Sequence, residues 1–242
     1  MSDIHRALPE LVIFDVAGTT VVDGGEVLRC FSEAFAEEGI DVPPAAVNAV
    51  MGLPKILAIK DLLAKYAPDR QEPGLADLLH DDFEQRMIDF YTYHPNIAVY
   101  PGVLALIRQL RSMGVAVAVN TGFPRSILGA LLDRLNWRVG HTLDASMASD
   151  ESPRGRPHPD MVQGIMKRLG IDDPQLVAKV GDTPSDIGEG KSAGCGWVIG
   201  ITHGSHTRQQ LAACEPTHIV NNMVELGKIW GISVSASDQF VS

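Results

Sequence analysis

An α/β fold, in which a parallel sheet is covered by helices on both faces and a helical insert follows the first strand, is predicted by three features of the 242-residue chain. The first is Leu11–Phe14, four consecutive apolar residues that end on Asp15, the pattern of a strand buried on both faces. The second is the alternation of short apolar runs with amphipathic stretches from Tyr100 onward, which builds repeated βαβ units. The third lies between residues 22 and 96, where no strand pattern occurs and apolar residues recur at helical spacing.

After the opening strand, Val22 to Gly25 reads as a turn. Glu26 to Gly39 places Val27, Leu28, Phe31, Ala34 and Phe35 on one helical face, and Gly39 closes the helix. Pro43 and Pro44 open a second helix through Val50, which Met51-Gly52-Leu53-Pro54-Lys55 interrupts, and helices over 56–66 and about 76–93 follow. From Pro101-Gly102 a helix runs to Met113, then a strand covers 115–119 and a helix 124–135. The remaining expectations are a short strand within 142–147, a helix over 159–169, a strand over 176–180, a helix over 185–193 and a strand over 197–201. A short helix after Thr207, a strand over 218–220 and a last helix reaching Ile232 complete the chain. The expected organisation is a Rossmann-like core of residues 1–21 and 97–242, interrupted by a helical unit of residues 22–96.

With 45% apolar and 21% charged residues, the chain can bury a large core and needs no disordered tract. A net charge of −10 without any basic run argues against a nucleic-acid partner, because phosphate backbones are held by clustered Lys and Arg. The N-terminus MSDIHRALPE lacks the basic-then-apolar order of a signal peptide, and no apolar run approaches membrane-spanning length. The expectation is a cytoplasmic protein with no membrane partner. Cys30, Cys195 and Cys214 are odd in number and widely spaced, which suits idle thiols rather than a disulfide framework or a zinc cluster.

Four strand ends stop on polar residues: Asp15; Asn120-Thr121-Gly122; the Gly- and Pro-rich loop Pro153–His158 with Arg156; and Gly181-Asp182-Thr183 with Asp186. In a parallel sheet all four converge on the edge where ligands bind. Each has a plain structural explanation by itself: Asp15 as a turn residue, Thr121 as a helix cap, Asp186 in a helix first turn, Arg156 and His158 as loop residues. Taken together, Asp15, Asp182 and Asp186 make an oxygen cluster suited to a hard divalent cation such as Mg²⁺, with Arg156 available to neutralise a phosphoryl group.

These residues resemble the motifs of the haloacid dehalogenase superfamily of phosphotransferases over nearly the whole chain. Asp15 stands at the nucleophile motif, Thr121 at the second, Arg156 where most members carry Lys, and Asp182 with Asp186 at the acidic fourth. The resemblance implies a Mg²⁺ ion held by Asp15, Ala17 and Asp182 with Asp186 behind them. It also implies a phosphoryl group bound by Thr121, Gly122 and Arg156, and a small mobile cap formed by the helical insert.

Ala17 is the informative departure. Most phosphatases of the superfamily carry an acid there, two residues after the nucleophile, to protonate the ester oxygen. Its loss implies either an inactive enzyme or a leaving group that needs no such acid. The second case resembles the phosphonoacetaldehyde hydrolase (phosphonatase) branch, whose motif Asp-x-Ala-Gly-Thr-Thr is matched by Asp15-Val16-Ala17-Gly18-Thr19-Thr20. The branch also carries Met-Gly-x-x-Lys, matched by Met51, Gly52 and Lys55. The resemblance implies that Lys55 forms an imine with the substrate aldehyde, so that C–P cleavage expels an enamine in place of a carbanion.

Three positions differ from the branch. Ala58 replaces a His, Gly25 a Cys and Phe123 an aromatic hydroxyl. The expected substrate is therefore a small phosphonate, phosphonoacetaldehyde or a substituted relative. A phosphate-ester hydrolase or mutase and a non-catalytic metabolite-binding protein are the alternatives. Pairing of two copies through the cap is also implied, with Val27, Phe31 and Phe35 either at that contact or in the cap's own core.

Overall fold

The computed structural model describes residues 8–70 and 72–235. Part of the N-terminal stretch read above, residue 71 within the helical unit and residues 236–242 of the second core segment lie outside the described residues.

Six parallel strands form one sheet in the order β3-β2-β1-β4-β5-β6: β1 Leu11–Phe14, β2 Ala116–Asn120, β3 Ala145–Met147, β4 Val177–Gly181, β5 Trp197–Ile201 and β6 His218–Val220. This is a Rossmann-like α/β sheet, and its strand order reverses between β1 and β4. β1 is fully buried because it is flanked on both sides, Leu11 pairing with Ala116 and with Val177. Its side chains serve the two faces in turn: Val12 and Phe14 join one apolar cluster, Leu11 and Ile13 the other. Such a strand needs apolar residues at every position, which is why its sequence does not alternate.

Four helices lie between β1 and β2, namely α1 Glu26–Glu37, α2 Pro44–Ala49, α3 Lys55–Tyr66 and α4 Leu75–Tyr93, before α5 Val103–Ser112 returns to the sheet. The chain leaves and re-enters the sheet through adjacent segments, where Val22 N–H donates to Ala98 O at 2.9 Å and Tyr100 N–H to Thr20 O at 3.0 Å. Val27, Phe31 and Phe35 are buried among this chain's own helices, and Phe31 meets Phe83 with ring centroids 4.4 Å apart. Phe83 in turn lies 6.5 Å from the Phe123 ring at the end of β2, so the apolar cluster on that sheet face runs on into the helices.

The core is completed by α6 Arg125–Arg134, α7 Asp160–Leu169, α8 Pro184–Ala193, α9 Arg208–Ala212 and α10 Met223–Ile229. The expected strand within 142–147 shortens to its last three residues. Asp144 ends the preceding turn, its carboxylate taken by the Val117 N–H at 2.8 Å and by Arg111 at 2.9 Å. The first helix stops at Glu37, two residues before Gly39, which takes φ +68°. Among the described residues no helix is long and apolar enough to cross a membrane.

Phe83 ties α4 to α1 and to the strand end. Phe83→Ala is expected to cost about 3–5 kcal/mol in a denaturant unfolding titration, and a loss below ~1 kcal/mol would mean that the helical layer is not packed through this ring.

Candidate active site

The C-terminal edge of the sheet is organised by a buried guanidinium. Arg156, 1% exposed, donates through Nη1 to Asp15 Oδ1 at 2.6 Å and pairs with Asp186 Oδ1 at 2.9 Å. Its Nε donates to Glu189 Oε2 at 3.0 Å, and its Nη2 to both Asn120 O and Asn120 Oδ1, at 2.8 and 2.6 Å. A second buried cation, Lys179 on β4, reaches Asp186 Oδ1 at 2.8 Å and Glu189 Oε2 at 3.5 Å. Asn120 Nδ2 closes the circuit by donating to Glu189 Oε1 at 2.9 Å. Burial opposes the charge on Asp186, yet Arg156 and Lys179 hold its carboxyl below the usual value.

Asp15 continues β1, its N–H donating to Val180 O at 2.9 Å. One carboxylate oxygen is held by Arg156, and among the described residues Oδ2 accepts no hydrogen bond. Asp182 follows β4 outside the Arg156 circuit. Its Oδ2 accepts from the Ser205 N–H and hydroxyl at 2.7 and 2.8 Å, and its Oδ1 from Thr19 Oγ1 at 2.9 Å. Burial, followed by the charges of Asp15 and Asp186, pushes the Asp182 carboxyl up to about 7 against those hydrogen bonds.

Asp15, Asp182 and Asp186 bring one carboxylate oxygen each within 4.8 Å of one another. The donor set is oxygen only, which suits Mg²⁺. Asp186 is saturated by Lys179, Arg156 and the Thr183 hydroxyl, which donates at 2.6 Å, so it stands behind the other two. Asp15 Oδ2 and the Ala17 carbonyl accept nothing among the described residues, and Asp182 Oδ1 has capacity left. The donors with room for a cation are thus Asp15, Ala17 and Asp182, and the charges of Asp15 and Asp186 add to burial in resisting the ionisation of Asp182.

Lys55, the first residue of α3, is 4% exposed. Its Nζ sits 5.2 Å from the Phe123 ring centroid and 5.6 Å from that of Phe31. No hydrogen bond or ion pair holds the amine among the described residues. Burial pushes the ammonium down to about 8, with Arg156 in support and Asp15, Asp23 and Asp186 opposed.

The turn before Lys55 reaches the sheet edge through absent side chains. Gly52 has φ +82°, and a Cβ there would sit 2.4 Å from Thr183 Oγ1. A Cβ on Gly122 would lie 2.6 Å from Leu53 O. Backbone-to-backbone contact at Gly122 is therefore what lets α3 deliver Lys55 to the strand ends.

A cavity of about 30 Å³ remains between them, bordered by Asp15, Ala17, Lys55, Thr121, Arg156 and Asp23. Met51, Gly52, Gly122 and Phe123 complete much of its wall. Thr121 Oγ1 accepts the Phe123 N–H at 3.2 Å and keeps its own proton free to donate. Ala58 is buried in the helical layer, and Gly25 is the αL residue preceding α1 with nothing near its Cβ position.

Every site residue expected from the sequence, apart from Asp182 and Asp186, borders this cavity; Asp182 stands behind Ser205, which hydrogen-bonds to it, and Asp186 behind Arg156. Glu189, Lys179, Ser205 and Tyr91 were not singled out by sequence reasoning. Tyr91 packs edge-on at 6.2 Å from Phe123, and burial, then the charges of Asp23 and Asp15, hold its phenol well above the ordinary value.

A parallel α/β core with buried acids, an arginine and a lysine converging at the C-terminal edge of the sheet has the layout of a hydrolase active site. The chain belongs to the haloacid dehalogenase-like hydrolase family, whose model matches residues 9–194. A phosphonoacetaldehyde hydrolase from Bacteroides fragilis is 30% identical over 232 residues, which cover 90% of this chain and 86% of the relative. A phosphonoacetaldehyde hydrolase-like protein from Oleispira antarctica superposes with a TM-score of 0.79 at 22% identity, covering 93% of this chain and 92% of the other. A predicted phosphoglycolate phosphatase from Haemophilus somnus does so with a TM-score of 0.75 at 20% identity, over 93% of this chain and 99% of the other. At these identities the two solved structures speak to the fold alone.

Two outcomes follow from the electrostatics. Lys55 binds fewer protons folded than unfolded between pH 8 and its ordinary 10.5, so its penalty on stability is full below pH 8 and fades as pH rises to 10.5. Lys55→Met should stabilise the fold at pH 7 by about 1–3 kcal/mol, with the gain vanishing near pH 10.5 in pH-resolved denaturant melts. Separately, MgCl₂ should raise the wild-type melting temperature and leave that of Asp182→Asn unchanged; equal shifts would remove Asp182 from the metal site.

Proposed function

We propose that this hydrolase cleaves the C–P bond of a small 2-oxoalkylphosphonate, phosphonoacetaldehyde or a close analogue, releasing phosphate and an aldehyde with Mg²⁺ as cofactor. The observation that carries the reading is the Lys55 amine. It is buried, unpaired among the described residues, lowered to about 8, and borders the same cavity as Asp15. A structural lysine would be paired or solvated, whereas an amine that attacks a carbonyl has to shed its proton and keep its lone pair free. The phosphonoacetaldehyde hydrolase relatives support the same chemistry.

In the proposed sequence Lys55 condenses with the carbonyl and water leaves, giving a protonated imine one carbon from phosphorus. Asp15, oriented by Arg156, attacks phosphorus through its unbonded Oδ2. The C–P electron pair flows toward the imine nitrogen, so the leaving group departs as a neutral enamine and no acid is needed at Ala17. Bound between Asp15, Ala17 and Asp182, Mg²⁺ would neutralise phosphoryl oxygens as charge builds on them. Arg156 adds positive charge at the same edge, while Thr121 and the Gly122 backbone are placed to bind the phosphonate oxygens. Water then hydrolyses the aspartyl phosphate, and protonation at carbon followed by imine hydrolysis frees the aldehyde and Lys55. In this scheme helices α1–α4 act as the cap that excludes water from the amine.

Borohydride added with phosphonoacetaldehyde should leave a reductive mass adduct on Lys55, and Lys55→Ala should release no phosphate. Asp15→Asn should still form the adduct yet release none, because imine formation precedes attack on phosphorus. Phosphate release from simple esters that survives Lys55→Ala would replace this reading with that of a phosphatase.

A further inference from the structure

Condensing an ammonium with a carbonyl moves two protons from nitrogen to the departing oxygen, so a group beside Lys55 has to carry them. Ala58, Gly25 and Phe123 have no such group to offer. Most polar side chains around the cavity are already engaged. Asp15 gives one oxygen to Arg156 and, in the proposed mechanism, the other to phosphorus, while Ser205 is held by Asp182 and His206 and Thr183 by the α8 cap. Asp23 is different. Its Oδ1 accepts the N–H groups of Gly25, Glu26 and Val27 at 3.1, 2.8 and 3.3 Å, fixing the carboxylate at the start of α1. Its Oδ2 accepts no hydrogen bond among the described residues, and the side chain borders the cavity with Lys55. A helix cap needs one oxygen, which Asn or Ser supplies as well, so the cap accounts for half of this carboxylate and leaves the other half unexplained.

We propose that Asp23 is the acid–base partner of Lys55, a reading that rests on the imine chemistry above. Its carboxylate takes a proton from the Lys55 ammonium. The free amine adds to the carbonyl, and the proton on nitrogen passes to the new alkoxide, giving a neutral carbinolamine. Protonated Asp23 then donates to the hydroxyl, which leaves as water while the nitrogen lone pair forms the C=N bond. Asp23 ends as a carboxylate and the imine carries the charge that began on Lys55. The same steps in reverse hydrolyse the product imine. The negative charge of Asp23 also favours the protonated imine, as it favours the Lys55 ammonium in the free protein.

The test is the rate of borohydride trapping on Lys55 with phosphonoacetaldehyde, for wild type and Asp23→Asn at saturating Mg²⁺. Asn retains the cap oxygen, so the melting temperature should hold, while adduct formation and phosphate release should both slow by about 10²–10⁴-fold. Asp23→Ser, a second capping residue, serves if the Asn variant folds poorly. An unchanged trapping rate in a folded variant overturns the assignment of Asp23 alone. No adduct in the wild type overturns both this proposal and the imine reading.

Discussion

Four of the segments that make the site meet at the Arg156 guanidinium. Its partners come from the end of β1 in Asp15, the end of β2 in Asn120 and the first turns of α8 in Asp186 and Glu189, while Arg156 itself arrives on the loop before α7. Charges this deeply buried are tolerable only when paired and fully hydrogen-bonded, and removing one partner leaves the rest uncompensated. Arg suits the task because its fork reaches several acceptors at once and it stays ionised where a Lys amine gives way. Lys179 adds the second positive charge, so two cations face three carboxylates, and Asp182 beside them adds a fourth. The surplus is negative and sits at the open end, which is the electrostatic reason a divalent cation suits the place.

Across the cavity the conditions invert. Lys55 lies over two aromatic rings with no anion bonded to it, and the same burial that Arg156 overcomes with three carboxylates goes largely unanswered. Two cations on one cavity are thus shifted in opposite directions, Arg156 up and Lys55 down, because one is given partners and the other is denied them. The denial depends on the close approach of the Gly52 turn to Gly122, since a side chain at either point would hold α3 off the strand ends and let water reach the amine.

How much of this was legible in the sequence follows from where each residue sits. β1 showed because a central strand is apolar throughout, the strand-end residues Asp15, Thr121 and Asp182 because polar groups just after apolar runs are conspicuous, and Arg156 because its loop is too rich in Gly and Pro to be helix or strand. Lys179 was hidden for the converse reason, a single cation inside an apolar strand, where an outward-facing reading is the default. Glu189 follows Asp186 by three residues on α8 and shares its face, a spacing that pairs the two and was available to be noticed. Ser205 comes from the loop after β5, a strand end that carries no acid, and Tyr91 from far along α4, so only the folded chain relates them to Asp182 and Phe123. Asp23 read as a turn residue, and half of its carboxylate does serve that purpose.

On the proposed mechanism Ala17 and Lys55 answer one requirement. A carboxylate at position 17 would border the same cavity as Lys55, where Asp15 and Asp23 already draw its ammonium toward the charged form. Another negative charge would raise that amine further and shrink the fraction able to attack a carbonyl, and it would crowd an edge where Asp182 already resists ionisation. An enzyme that protonates an ester oxygen needs the acid and can tolerate a charged lysine nearby. One that moves electrons into an imine needs the amine free and gains nothing from the acid, so the small side chain after Asp15 follows from the choice of electron sink.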